Sequence, residues 1–486
     1  MNFKQRRSFL KQGGTGLALS LLPALPFAAQ VIELNEANLQ SGKDATRILA
    51  QYALNTQYED IPTNIKRESI RSFVNYVGVT VGSCRHKAID ICIESLRPVS
   101  GSKQASILGR SERFDILNAA FINGVGSHIL DFDDTHLLTN VHASGPIASA
   151  LLAYSELKPV SGKEFMNAFY LGVEFTIRLS NALAPNHADI GWHVSGTHPS
   201  IGAAAAIGRL MRLTEEQMIW ALGLAASQPV GFRDSFGSMN KSFNPGRAAS
   251  NGVFSALLAQ KGFTSSNQMI ESRIGWANAM STKQNYSELL GDLGTRFEIA
   301  KNTYKPFACG IVIHPAIDAC AQLRAQGVKA DDVERIELRV HPLVLELTGK
   351  KTPKDGLEGK FSVYHGCAVG LIFGQAGEGE YADDIVNRAD VVALRAKVNA
   401  TTDTAISEAS VDVKAILKDG KEVHVFVKNA IGSVENPMSD ANLEQKFTSL
   451  AEPIIGTEKT RQLISALWKL GSASDLKHIL SLCTPD

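Results

Sequence analysis

The spacing of apolar residues changes from helical to alternating and back again along this 486-residue chain, and this pattern constrains the fold more than any other feature. From about residue 35 to residue 300, apolar residues recur every three or four positions. One such run is Ile70, Phe73, Val74, Val77 and Val81. This period places apolar side chains on one face of an α-helix. Residues 201–226 are also rich in glycine and alanine, which let helices pack closely. We therefore predict a large helical bundle.

An alternating pattern begins near residue 330. Val333, Ile336, Leu338 and Val340 are interleaved with polar residues, as expected for a half-buried strand. Further on, residues 410–417 and 423–427 flank the sequence Lys-Asp-Gly-Lys. Asp-Gly readily adopts the positive φ angles of a type I′ turn, so this stretch predicts a β-hairpin.

The helical period returns after residue 436. It is carried by Leu443, Phe447, Leu450, Ala451, Leu463, Leu467 and Leu470. We expect this tail to pack against the first helices. The predicted fold is therefore mainly α, with a large all-helical domain built from both ends of the chain, residues 31–301 and 431–486. A smaller α/β lid domain spans 302–430.

The first 30 residues resemble a twin-arginine export signal. Arg6 and Arg7 precede Ser-Phe-Leu-Lys, a mildly apolar run follows from 16 to 25, and small residues come after it. An amphipathic N-terminal helix is the alternative. Such signals are addresses read by the export machinery and not anchors, so we expect a mature periplasmic protein without a membrane anchor. If the signal is not functional, the protein stays in the cytoplasm.

Charge and cysteine content exclude several classes of protein. The 49 basic residues balance 49 acidic ones, which argues against a nucleic-acid or anionic-membrane partner. The six cysteines form no CxxC pair, which argues against a zinc ribbon or a local iron–sulfur motif. The chain also lacks GxGxxG, Walker and GxSxG motifs.

Residues 131–142 concentrate groups that can transfer protons. They are Asp131, Asp133, Asp134, His136 and His142. Carboxylates and imidazoles at this spacing could bind a divalent metal or form an acid–base set. The Asp-Asp-Thr sequence could instead be a helix cap or a turn.

Two further segments carry hydrogen-bond donors. His193, Ser195 and Thr197 precede a helix predicted to start near Ile201, where backbone amides can bind an anion. Met239, Lys241 and Arg247 surround a predicted Pro-Gly turn, and the two cations suit a carboxylate ligand. Surface solvation is the commoner fate of such cations.

A fourth segment lies at the predicted domain junction. Lys305, with His314 nearby, offers another cation where clefts between domains favour ligand binding. Together the four segments predict proton abstraction beside a carboxylate, because cations stabilise the negative charge that develops there.

These motifs, in this order, resemble the MmgE/PrpD family, whose members include 2-methylcitrate dehydratase, cis-aconitate decarboxylase and an iminodisuccinate epimerase. The resemblance covers about residues 45–470. It implies a homodimer with a helical domain, an α/β lid, an active site between them and no metal or organic cofactor. It matches catalytic or substrate-binding positions to Asp131, Thr135, His142, His193 and Lys241. It also matches Lys305 to a lid-side lysine and Tyr364 to a tyrosine near the site. Asn244 stands where many members carry histidine.

We therefore expect a cofactor-independent lyase, a 2-methylcitrate dehydratase-like hydro-lyase that acts on a small di- or tricarboxylate. In this interpretation His142 and His193 exchange protons, Asp131 orients a histidine, and Lys241 stabilises the developing charge. The expected substrate-binding residues are Thr135, Ser195, Thr197, Met239, Arg247, Lys305 and Tyr364. The alternatives are an epimerase, isomerase or decarboxylase on a related substrate, a metal-dependent hydrolase that uses the Asp131–His142 cluster, and a periplasmic carboxylate-binding protein.

Overall fold

The computed structural model describes residues 40–485, and the predicted export signal lies outside them. Up to residue 290 the described chain is predominantly helical. The helices are α1 (Ala45–Asn55), α2 (Thr63–Gly82), α3 (Lys87–Leu96), α4 (Ile116–Ile129), α5 (Ser144–Leu157), α6 (Gly162–Leu183), α7 (Asn186–Asp189), α8 (Val194–Thr197), α9 (Pro199–Leu210), α10 (Glu215–Ala226), α11 (Asn240–Gln260), α12 (Trp276–Met280) and α13 (Tyr286–Leu290). Two short antiparallel pairs join β1 (Ala105–Ser106) to β2 (Arg113–Phe114) and β3 (Thr135–His136) to β4 (Asn302–Thr303).

A four-stranded mixed sheet follows. Its strands are β5 (Val333–Val340), β6 (Val398–Thr402), β7 (Val411–Leu417) and β8 (Glu422–Val427), in the order β6-β5-β7-β8. β5 is parallel to β6 and antiparallel to β7. The accompanying helices are α14 (His314–Ala325), α15 (Pro342–Thr348), α16 (Gly356–Gly359), α17 (Val363–Phe373), α18 (Asp383–Val386) and α19 (Ala389–Arg395). The boundaries of the smaller domain at 302 and 430 stay a prediction.

The strand predicted over Val333–Val340 and the hairpin after it are confirmed, but the predicted type I′ turn is wrong. Gly420 has a φ of 85° whereas Asp419 does not have a positive φ. The backbone N–H of Gly420 bonds to the carbonyl of Leu417 at 2.9 Å. These features fit a type I turn that ends in a left-handed glycine, which gives a longer loop with the same strand direction.

The last helices are α20 (Asp440–Ile455), α21 (Thr457–Trp468) and α22 (Lys477–Leu482). α20 packs on α2 through two glycines of α2. A Cβ at Gly78 would lie 2.7 Å from the Phe447 ring, and one at Gly82 would lie 2.9 Å from Leu450 Cβ. The chain therefore returns to its first helices, and the predicted mainly α fold with a small sheet is confirmed. In the described residues, no helix has both the length and the apolar character needed to span a bilayer.

Helix α11 corrects another prediction, because Pro245 and Gly246 lie inside it and do not form a turn. Pro245 has no N–H to donate to the carbonyl of Lys241, so one intrahelical hydrogen bond is missing. Packing against α4 compensates for that loss. A Cβ on Gly124 of α4 would lie 2.7 Å from the Cα of Gly246, so the two glycines let the backbones approach closely. This contact places Lys241 beside the end of α4.

Candidate active site

Asp131 lies just beyond the end of α4 and joins two lysines from distant segments. Its φ is +49°, a left-handed conformation that is unusual for a residue with a side chain. Its Oδ1 accepts hydrogen bonds from Lys241 Nζ at 2.9 Å and Lys305 Nζ at 2.7 Å. Burial alone would raise the pKa of Asp131, but the two lysines hold it well below its usual range. Asp131 is therefore ionised and neutralises part of the local positive charge.

The buried lysines around the site differ in how many of their ammonium N–H groups are already hydrogen-bonded. Lys305 Nζ donates to Asp131 Oδ1, to the Asp131 carbonyl at 3.1 Å and to the Cys309 carbonyl at 3.0 Å. Lys360 Nζ and Lys446 Nζ also have three acceptors each. These acceptors are the Leu130 carbonyl, the Ala308 carbonyl and Glu378 for Lys360, and Asn75 Oδ1, the Phe132 carbonyl and the Lys305 carbonyl for Lys446. An ammonium has three N–H groups, so these three lysines are saturated.

Lys241 is different. Within residues 40–485 its Nζ has a single hydrogen-bond acceptor, Asp131 Oδ1. Its other neighbours are the rings of Phe236 and Phe361, whose centroids lie 5.4 and 5.5 Å away. Two of its N–H groups remain available, so Lys241 can bind an anionic oxygen, whereas Lys305 cannot without giving up a present bond. The structure thus distinguishes Lys241, predicted to stabilise developing charge, from Lys305, predicted to bind substrate, by their available N–H groups.

Asp133, and not Asp131 as predicted, contacts the histidines. Its Oδ2 lies 2.7 Å from His128 Nδ1 and 3.2 Å from His142 Nδ1. An ionised carboxylate only accepts, so each Nδ1 carries a hydrogen and each Nε2 has a free lone pair when the ring is neutral. Burial favours the neutral carboxyl, but the two histidines hold the pKa of Asp133 well below its usual range. Burial lowers the pKa of His128 to about 4, so its ring is neutral near pH 7.

His193 completes the cluster from the opposite side. It caps α8, its ring lies 5.6 Å from that of His128, and it meets the Phe236 ring edge-on at 5.0 Å. Its Nδ1 lies 2.9 Å from Asn244 Nδ2. Burial and the charges of His128, Lys241 and His142 lower the pKa of His193 well below its usual range. The structure therefore places His142, His193 and Lys241 in one neighbourhood.

Three predicted hydroxyl residues have different positions. Ser195 Oγ accepts a hydrogen bond from the backbone N–H of His142 at 3.0 Å and so helps to fix the backbone of that histidine. Thr135 Oγ1 lies 3.3 Å from His142 Nδ1. Thr197 Oγ1 instead lies 2.9 Å from His187 Nε2 and bonds to the Val194 carbonyl at 3.1 Å, away from the cluster. The expected anion site on backbone amides before α9 is thus replaced by the short helix α8.

Arg247, Tyr364 and Met239 are not brought into the cluster. Arg247 is exposed and donates to Asn251. Six residues at about 100° each turn it about 120° around α11 from Lys241. Tyr364 is buried in α17 with Lys351 Nζ 5.8 Å from its ring centroid. Met239 is half-buried at the start of α11. Their predicted roles in substrate binding stay predictions.

The sequence analysis assigned no catalytic or binding role to His128, Asp133 or Asn244. His128 lies near the end of α4, five residues before Asp133, and Asn244 lies three residues after Lys241 on α11. Spacing of three residues puts Lys241 and Asn244 on one helix face. This spacing is informative only if residues 240–247 form a helix, and the Pro-Gly pair predicts a turn there instead.

A cavity of about 360 Å³ adjoins His193. Trp192, Phe236 and Leu343 form part of its wall, and Arg233 lies at its edge, paired with Glu346 at 2.6 Å. Leu343 and Glu346 belong to α15, which follows the first strand of the sheet. The cavity thus lies between the first helices and the sheet-containing part of the chain.

One group of described residues could hold a metal ion. The ligand atoms of His128, Asp133 and His142 lie within 4.8 Å of one another. Two imidazoles and a carboxylate suit a divalent transition metal. A metal there would replace the two hydrogen bonds that Asp133 now accepts.

Comparison with known proteins agrees with this architecture. A family model for the MmgE/PrpD N-terminal domain matches residues 47–289, and one for the C-terminal domain matches residues 307–470. The chain belongs to the MmgE/PrpD family. Cis-aconitate decarboxylase of Aspergillus terreus is 22% identical over 477 residues, which cover 92% of this chain and 97% of the relative. Cis-aconitate decarboxylase of Mus musculus is 26% identical, with coverage of 90% and 93%. 2-Methylcitrate dehydratase of Escherichia coli strain K12 is 23% identical, with coverage of 62% and 65%. These MmgE/PrpD relatives are lyases.

Proposed function

We propose that this MmgE/PrpD protein is a hydro-lyase that removes water from a small hydroxy di- or tricarboxylate, such as 2-methylcitrate, without a metal or organic cofactor. One observation carries the proposal. Asp133 accepts Nδ1–H of His142, which leaves His142 Nε2 free as a base in the same neighbourhood as Lys241. A base and an available cation are what abstraction of a proton beside a carboxylate requires.

In the proposed reaction, His142 Nε2 takes a proton from the carbon next to a substrate carboxylate. The C–H electron pair forms a C=C bond as the C–O bond to the neighbouring hydroxyl breaks. The hydroxyl leaves as water after it receives a proton from an acid. Lys241 stabilises the negative charge that develops on the carboxylate, because its two available N–H groups are held in a buried site.

A direct assay tests this proposal. We expect purified protein to convert 2-methylcitrate, or another member of a panel of hydroxy di- and tricarboxylates, into an unsaturated acid whose C=C absorbs in the ultraviolet. His142→Gln should lower kcat by about 10²–10⁴-fold while circular dichroism stays unchanged. If the protein dehydrates no member of the panel, the proposal is overturned.

Decarboxylation is a second candidate, because the cis-aconitate decarboxylases match the chain over almost its whole length. Loss of CO₂ needs a proton donor for the carbon it leaves, but no base. The oriented base therefore favours dehydration. CO₂ release from cis-aconitate, measured alongside the panel, decides between them. Epimerisation would be recognised as deuterium uptake into recovered substrate in heavy water.

The metal-dependent hydrolase is the rival from another class, supported by the close approach of His128, Asp133 and His142. Our proposal predicts that dialysis against a chelator leaves turnover unchanged within about twofold. Loss of turnover after chelation, with recovery on addition of a divalent metal confirmed by elemental analysis, would favour the hydrolase.

We also propose that the protein is exported by the twin-arginine route and acts as a homodimer. Arg6 and Arg7 before an apolar run support export. Fractionation should find the wild type in the periplasm and an Arg6→Lys/Arg7→Lys variant in the cytoplasm. Light scattering during size-exclusion chromatography should give twice the monomer mass. A monomeric wild type would contradict the proposed homodimer, and a cytoplasmic wild type would contradict the proposed export.

A further inference from the structure

Asn244 contacts His193 and not the carboxylates of the cluster. Asn244 is 1% exposed, and its Nδ2 lies 2.9 Å from His193 Nδ1. His128 and His142 instead have the Asp133 carboxylate at Nδ1. The consequence depends on which end of the Asn244 amide faces the imidazole, because the NH₂ group donates whereas the oxygen accepts.

Ser235 determines the orientation of that amide. Asn244 Nδ2 also lies 3.5 Å from Ser235 Oγ. The Ser235 hydroxyl already donates to the Phe232 carbonyl at 2.7 Å, so its oxygen can only accept from Asn244. A flipped amide would set its oxygen against the Ser235 oxygen, whose hydrogen is already donated to the Phe232 carbonyl, and the Asn244–Ser235 hydrogen bond would be lost. The NH₂ group therefore faces Ser235 and His193.

We infer that Asn244 is a positioning residue that holds neutral His193 as the Nε2–H tautomer, the opposite of His142. Since the amide donates to Nδ1 of His193, that nitrogen carries no hydrogen and Nε2 carries it. His142 has its hydrogen on Nδ1, toward Asp133, and a bare Nε2. The site therefore holds one base and one acid before substrate binds.

This inference deepens the proposed function. The role of His193 as an acid rests on that proposed function, whereas the tautomer of His193 does not. In the dehydration, His142 Nε2 gains the proton from carbon, and His193 Nε2–H acts as the acid by donating a hydrogen bond to the departing hydroxyl without releasing its proton. Full transfer of that proton would leave the anion of imidazole, because Asn244 cannot give a proton to Nδ1 without becoming an unstable amidate. The departing hydroxyl takes the proton that His142 gained and leaves as water. His142 is then neutral again, so the cycle balances.

The tautomer can be observed directly in the full-length protein. We expect ¹⁵N NMR of histidine-labelled wild type, with His193 assigned by its loss in His193→Gln, to show an unprotonated Nδ1 and a protonated Nε2. Asn244→Asp replaces the donor by an acceptor, so its His193 Nδ1 should become protonated. A wild-type spectrum with protonated Nδ1 would overturn the inference, whatever the activity.

Kinetics test the acid role separately. Asn244→Asp should lower kcat by about 10²-fold or more, with KM changed less than about threefold, because the acid is misdirected while Lys241 is intact. Asn251→Asp adds the same charge on the same helix without touching His193, and it should retain wild-type kcat. Unchanged kcat in Asn244→Asp, with the tautomer reversed, would refute the acid role. A correct tautomer in a protein that dehydrates no substrate would refute the proposed function and leave the positioning role supported.

Discussion

At the scale of single residues, the number of N–H groups already donated separates the lysines of the site. Lys241 and Lys305 share one carboxylate oxygen of Asp131, yet Lys305 also holds two backbone carbonyls. We interpret Lys305 as a structural cation that fixes the unusual backbone at Asp131, and Lys241 as the cation that meets substrate.

Paired substitutions test this division. Lys241→Met should lower kcat/KM by about 10²–10³-fold with little change in stability, because Asp131 keeps Lys305 as a partner. Lys305→Met should instead cost about 3–5 kcal/mol of unfolding free energy, because Asp131 and two carbonyls lose a buried partner. Steady-state kinetics and denaturant unfolding measure the two effects. The same stability loss in both variants would contradict the division.

Asp133 is expected to matter through hydrogen-bond orientation. Asp133→Asn removes the charge that keeps Nδ1–H of His142 and His128 directed at one oxygen. The tautomer with a bare Nε2 then loses its advantage, so kcat should fall about 10²–10⁴-fold. Circular dichroism and the melting temperature report whether the fold survives. Wild-type kcat in this variant would remove His142 as the oriented base.

At the scale of secondary-structure elements, the contact of α4 with α11 sets the distance between Asp131 and Lys241. The helical period predicted over about residues 35–300 covers both α4 and α11, but the Pro-Gly pair wrongly predicted a turn at the start of α11. A proline followed by glycine is usually a turn, and only burial against another helix makes the pair tolerable inside a helix. That burial depends on Gly124, more than 100 residues away in the chain, which no local pattern reveals.

A glycine pair tests this contact. Gly124→Ala places a Cβ 2.7 Å from the Gly246 backbone, so the helices must separate. We expect a loss of about 1–3 kcal/mol in unfolding free energy, with reduced activity as Lys241 moves. Gly101→Ala is the control, because nothing lies within 4 Å of its Cβ. It should stay within about 0.5 kcal/mol of wild type. Equal stability of the two variants would refute close packing of α4 and α11.

At the scale of the whole molecule, helix α20 packs against the segments that carry Asp131 and Lys305. Lys446 of α20 donates to Asn75 on α2 and to the carbonyls of Phe132 and Lys305. One side chain from the end of the chain thus ties together the two loops that hold Asp131 and Lys305. Leu443, Phe447 and Leu450 predicted the helix, but nothing in their spacing predicted this bond.

Buried histidines make the stability of the whole protein depend on acid pH. Burial lowers the pKa of His128, His136, His187 and His365 to about 4, and that of His314 to about 3. Their pKa in the unfolded chain is about 6.5. Between these values the unfolded chain binds more protons, so unfolding free energy falls as pH falls below about 6.5. Each histidine contributes about 1.4 kcal/mol per pH unit.

We therefore expect the melting temperature to drop steeply between about pH 6.5 and pH 4. Asp131 and Asp133 have lowered pKa values and add to the loss only below about pH 4. His365→Gln should make the pH dependence shallower, because it removes one fully buried histidine. A melting temperature that is constant down to pH 4.5 would contradict neutral buried histidines.

The sequence by itself determined the helical bundle, the strand at Val333–Val340 and the hairpin after it, because that information lies in the period of the apolar residues. It also identified Asp131, His142, His193 and Lys241 as residues of one site. Tertiary structure decided which aspartate meets the histidines and which lysine keeps donors for a ligand. The physical reason is that a lysine becomes saturated, and an imidazole acquires its tautomer, through acceptors and donors from remote segments such as the carbonyls of Cys309 and Phe132 and the amide of Asn244. No spacing along the chain encodes those partners.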